Sequence, residues 1–124
     1  MDKRISLEDI KKELEDIENY INSLYKPLDR KLSRIEQIPK TSFKNYYKQI
    51  DIIHKESKDL YDRLYELRRH ILENYDIHDD EVNSVLTSVT IVYGYIDTIL
   101  RNLEYFKMKM RTIEDSTTIE DFLF

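Results

Sequence analysis

From Val82 to Met110 the apolar residues Val82, Val85, Val89, Val92, Ile96, Ile99, Leu103, Phe106 and Met110 alternate by three and four without a break. This heptad spacing keeps one side of a helix facing partner helices along its whole length. The remaining sides are unusual, because between Val82 and Phe106 the charged residues are Asp97, Arg101 and Glu104, among many small ones. Leu86, Tyr93 and Leu100 add a second apolar strip. A helix lacking a strongly polar face is normally buried on more than one side. The segment is therefore expected either at the centre of a bundle or at a self-association surface that includes Leu86, Tyr93, Gly94 and Leu100. Gly94 costs roughly 1 kcal/mol in a helix interior relative to Ala, a cost that close approach of a neighbouring helix would offset.

Two further segments repeat the pattern. Leu7, Ile10, Leu14, Ile17, Ile21, Leu24, Leu28, Leu32, Ile35 and Ile38 form one stripe, and Ser6 with Asp9 supplies a helix start. Pro27 lies inside this run, so the helix is expected to kink or break around Tyr25 and Lys26. After Pro39, Ser42 offers an N-cap for a second helix carrying Phe43, Ile50, Ile53, Leu60, Leu64, Leu67 and Ile71, with His54 and Ser57 interrupting the stripe. The acidic turn from Asp76 to Asp80 caps the third. The expected fold is all-α: an up-down-up antiparallel bundle of three long helices over residues 1–113, followed by a short tail, 114–124. A chain with one Gly, two Pro and no Cys is ill suited to a many-turned β-sandwich, and it has no disulfide or thiolate chemistry. No apolar run of about 18 residues and no charged-then-apolar leader occurs, so a cytoplasmic protein without a membrane span is expected.

Chemistry-bearing patterns are sparse. Glu66 and His70 form one i, i+4 pair, better suited to a surface ion pair than to half of a metal site. The acidic runs at Glu13, Glu15, Asp16, Glu18 and at Asp79–Glu81 suit a solvated face and a helix start. No catalytic, cofactor-binding or metal-binding residue is assigned, no cofactor is implied, and the chain is expected not to be an enzyme. Arg63 and His70 do match the loose Arg-to-His spacing of HEPN-type ribonucleases, small all-α proteins. That resemblance implies a His acting on a ribose hydroxyl and an Arg near the phosphate, although Leu64 stands where a polar residue usually follows the Arg.

The formal charge of −5 is unevenly spread, with +5 on residues 26–69 and −4 on 114–124. Lys44, Lys48, Lys55, Arg63, Arg68 and Arg69 form a candidate nucleic-acid face among tyrosines. Interleaved Asp51, Glu56, Asp59, Asp62 and Glu66 cancel much of its field, so a solvated face is favoured over nucleic acid there.

The tail reads Glu114-Asp115-Ser116-Thr117-Thr118-Ile119-Glu120-Asp121-Phe122-Leu123-Phe124. It resembles the PIP box, the peptide by which archaeal and eukaryotic proteins dock on the sliding clamp PCNA. Ser116 stands at the family's Gln position, Ile119 at the aliphatic one, and Phe122 and Leu123 at the aromatic pair, with Phe124 a substitute after a small shift. One helical turn brings such residues together as an apolar plug. The resemblance implies a partner, PCNA, and a place in DNA replication or repair. The alternative is that Ile119, Phe122 and Phe124 fold back over the open end of the bundle. High charge, two Gln and no Cys suit a thermophile, and hence an archaeal setting. The expected protein is thus a helical adaptor or accessory factor docking through its C-terminal peptide. A self-assembling structural or scaffold protein, in a viral setting for example, is the second reading, and a HEPN-like ribonuclease the third.

Overall fold

In the computed structural model, which describes the backbone of residues 4–123 and the side chains of residues 4–116, every regular element is helical. Helix α1 spans Leu7–Tyr20. Ser6 Oγ accepts a hydrogen bond from the Asp9 amide at 3.1 Å, satisfying one of the donors a helix start leaves open. Ile10, Leu14 and Ile17 are its buried face.

Pro27 does not end the helix. The backbone passes through a π-helical turn, Ile21–Tyr25, closed by the Lys26 amide on the Ile21 carbonyl, and continues as α2, Lys26–Leu32. The physical reason is local: a proline ring crowds the carbonyl four residues earlier, here that of Ser23, and the wider π-turn spans that residue. The wider turn also moves the buried face. Residue i+4 rather than i+3 comes back to the core, so Tyr25 is 3% exposed while Leu24, expected in the stripe, is 49% exposed.

After α2 the backbone tightens into two 3₁₀ turns, Ile35–Gln37 and Lys40–Ser42. Ile35 keeps the apolar phase and is buried. Helix α3, Phe43–Asn74, follows directly; Ser42 precedes it without a side-chain capping bond, because its backbone is already in the αR region (φ −89°, ψ −11°) and not extended as at a normal N-cap. Of the two interruptions in its stripe, His54 stands half-buried at 3.4 Å from Glu104, while Ser57 is fully buried.

Helix α4 spans Asp80–Leu123, 44 residues or about 66 Å. Asp79 Oδ1 accepts from the amides of Glu81 at 2.9 Å and Val82 at 3.2 Å, the acidic cap that the Asp76–Asp80 turn promised. All nine residues of the Val82–Met110 stripe are buried. No interruption of the helical backbone separates 1–113 from 114–123.

Cross-helix pairs give the directions of packing. Glu13 meets Arg63 at 2.6 Å and the Ile5 amide meets His70, so numbers fall along α3 as they rise along the first segment. Asp51 meets Lys107 at 2.7 Å, and Tyr61 stacks on Tyr93 with ring centroids 4.4 Å apart, again in opposite order. Lys11 with Glu81 and Tyr25 with Asn102 rise together. One core results, shared by all three long segments.

The Ser57 hydroxyl has no hydrogen-bond partner among the described residues. A buried, unmatched hydroxyl costs about 1–3 kcal/mol. Ser57→Ala should therefore leave stability unchanged or raise it by up to about 1 kcal/mol in urea unfolding, whereas Ile96→Ala should lose about 2–5 kcal/mol. A large loss from Ser57→Ala would show that the hydroxyl is matched.

Candidate functional site

Arg63 and His70 are held by structural partners. The Arg63 guanidinium donates from Nε to Glu13 at 2.6 Å and from a terminal nitrogen to the other Glu13 oxygen at 3.1 Å, with Glu66 at 3.6 Å. The Glu13 hydrogen bond is the main reason its pKa rises above the ordinary value. His70 Nε2 accepts from the Ile5 amide at 2.9 Å. Tyr75 donates its hydroxyl to the Ile5 carbonyl, and Arg4 stands over the Tyr75 ring at 5.0 Å. This group ties the segment before α1 to the end of α3. The expected Glu66–His70 ion pair does not form, because Arg63 takes Glu66 and Ile5 takes His70. Among the described residues no group of three or more His, Asp or Glu side chains could hold a metal ion, and no helix is long and apolar enough to cross a membrane.

The six cations of the candidate nucleic-acid face do not form one patch. Arg63 turns to α1 and its Glu13, and Arg69 pairs with Glu73 at 3.8 Å. Arg68 lies on a different side of α3 from Lys44, Lys48 and Lys55, which fall within about 40° of one another at 100° per residue. All three of those lysines are exposed.

The self-association residues are largely absorbed within the chain. Leu86, Tyr93 and Leu100 are half-buried against the core, and Tyr93 stacks on Tyr61 of α3. Gly94 is exposed, and a Cβ placed on it would meet nothing within 4 Å. No helix of this chain approaches it closely. The apolar surface that α4 does expose lies at Ile91, Tyr95, Tyr105 and Met108. Of the docking peptide, Ser116 is exposed. The side chains of Ile119, Phe122, Leu123 and Phe124 lie outside the described residues.

Tyr25 is a polar feature that the apolar pattern concealed. Its hydroxyl donates to Asp29 at 3.2 Å and accepts from the Asn102 side chain at 3.0 Å, linking α2 to α4 inside the core. Burial first, opposed by the Asn102 bond and reinforced by Asp29, pushes its pKa up to about 12. The sequence signal was there: Tyr25 and Leu24 are adjacent, and either could return to the face after Ile21. On the opposite side, Glu13, Asp16, Glu56 and Asp59 rim a groove of about 420 Å³ floored by Ile17, Tyr20 and Leu60. Burial and the neighbouring Glu56 raise the Tyr20 hydroxyl well above its usual value.

Ala at position 94 should stabilise the protein by about 0.5–1 kcal/mol, since the space is open and Gly is the poorer helix former. Thermal unfolding of Gly94→Ala reads this directly; destabilisation would place a second copy against that surface. The pH dependence has a definite sign. A phenol whose folded pKa is raised keeps its proton where the unfolded chain has released it, so stability is full below about pH 10 and falls as pH climbs towards 12. Unfolding of Tyr25→Phe from pH 8 to about 11 should show a shallower alkaline decline than the native chain; identical slopes would remove Tyr25 as a contributor. Compared with known proteins, the chain matches no family model, no curated protein and no solved structure.

Proposed function

We propose that the chain is a non-enzymatic helical adaptor of DNA replication or repair, an up-down-up bundle that docks on the sliding clamp PCNA through its C-terminal peptide. The observation that carries this reading is helical register. Continuing the core stripe past Met110 by threes and fours selects positions 113, 117, 120 and 124, and Ile113 is half-buried as that requires. Positions 119, 122 and 123 are different. In a helix that runs on to Leu123 they fall roughly 180°, 120° and 220° around the axis from Met110, away from the core stripe. Ile119, Phe122 and Leu123 are therefore apolar residues at positions off the core register, at the spacing a clamp pocket accepts. This favours a docking plug over a cap folded back on the bundle.

Scaffold self-assembly is favoured by one separate observation, the exposure of Ile91 at 66%, Tyr95 at 41%, Tyr105 at 58% and Met108 at 66% on a single helix. Light scattering that shows a monomer at high concentration would remove it.

Immobilised PCNA should capture the full chain. The double substitution Phe122→Ala, Leu123→Ala should weaken capture by at least about tenfold, the loss expected when two central apolar anchors of a small interface are truncated. Equal capture of both chains, or of neither, contradicts the proposal.

A further inference from the structure

The cations of this protein are sorted by location in a way that the whole-chain charge conceals. Residues 26–48 hold seven basic side chains against Asp29 and Glu36, a net +5, while 49–69 hold five of each sign. With −5 overall, the rest of the molecule carries −10. The ion-paired Lys and Arg side chains, Lys11, Lys58, Arg63, Arg69, Arg101 and Lys107, all lie outside this stretch. Within it, no lysine or arginine has a carboxylate partner among the described residues.

Three of these seven cations line one concavity. Arg30, Lys31 and Arg34, from the end of α2 and the turn after it, line a groove of about 690 Å³ together with Pro27, Ile38 and the half-buried Tyr46 of α3. Asp29 is the one carboxylate in its lining, and it accepts the Tyr25 hydroxyl at 3.2 Å. Lys40 follows in the 3₁₀ turn before α3, and Lys44 and Lys48 lie one four-residue step of about 6 Å apart in the first turns of α3. Holding like charges together without partners costs stability, and a bound polyanion recovers it.

We propose that this groove binds single-stranded nucleic acid through its phosphate backbone. Arginine forks match phosphate geometry, and an aromatic ring beside apolar Pro27 and Ile38 gives a base a surface on which to stack. An acidic peptide would use the same charges but has no call on a stacking surface. The site is separate from the clamp-docking peptide and from most of the basic residues of α3, where Arg63 and Arg69 are already paired.

Fluorescence anisotropy of a labelled oligodeoxynucleotide, titrated with the full chain at several salt concentrations, tests it. Native protein should bind with an affinity that falls linearly in log–log form, at about −0.7 per phosphate neutralised. Arg30→Gln with Arg34→Gln should weaken binding at least tenfold and make the slope shallower by about 1.4, as expected when two phosphates are no longer neutralised. Arg68→Gln with Arg69→Gln, at the far end of α3, should change affinity less than about twofold. Phe122→Ala with Leu123→Ala should bind the oligonucleotide like the native chain, separating this site from the clamp reading. Absence of binding at low salt, equal losses in the two arginine variants, or equal competition by polyglutamate would overturn the proposal.

Discussion

The burial of one uninterrupted stripe, Val82 to Met110, is the constraint on which the rest of the structure depends. Each of its nine residues is buried, and the residues facing them come from both α1 and α3. At about 1.5–3 kcal/mol for each large apolar side chain withdrawn from water, this stripe is a large part of what offsets the ordering of three long segments. α1 and α3 each bury one face; α4 serves both. The low charge of α4 is not explained by that division, because Ser84, Thr87, Ser88, Thr90, Ile91, Gly94, Tyr95 and Thr98 are exposed on its outer side alongside Arg101 and Glu104.

Much of the architecture was legible in residue spacing, and the departures have identifiable causes. The α4 stripe, the Ser6 and Asp79 caps and the absence of strands among the described residues follow from periodicity and capping chemistry. Periodicity could not foresee the π-turn, since Leu24 and Tyr25 both fit a three-four count, and only the crowding of Pro27 against the preceding turn decides between them. It also could not show that Ser57 would be buried, because a small polar residue inside an apolar stripe reads as an interruption. The candidate site was less legible. Charge spacing along α3 offered a candidate basic face already weakened by interleaved carboxylates, and packing adds Glu13 of α1 as the partner of Arg63, while Glu73 of α3 takes Arg69. Which cations lack partners is a property of helix packing and cannot be read from one stretch of sequence.

Packing also assigns the polar residues to structural or external roles. His70, Tyr75 and Arg4 fasten the segment before α1 to the end of α3, and Tyr25 with Asn102 fastens the π-turn before α2 to α4. These side chains are occupied in holding the molecule together. Two features stand apart from these contacts: the basic groove bounded by α2 and the start of α3, and the backbone positions of the last α4 turns that leave the core register. Both lie towards the same end of the bundle, since Tyr47 near the start of α3 lies beside Glu114, whose carboxylate, after burial, helps raise the Tyr47 hydroxyl to about 12.

The central proposal is that the core stripe ends by Ile113 and that the last turns of α4 serve a partner rather than the fold. Comparing the thermal unfolding of the full chain with that of a chain ending at Ser116 tests this most directly. If the fold is complete without those turns, the two midpoints should agree within about 3 °C, less than roughly 1 kcal/mol for a domain of this size. A fall of about 10 °C or more would show that residues 117–124 are part of the core and contradict the assignment.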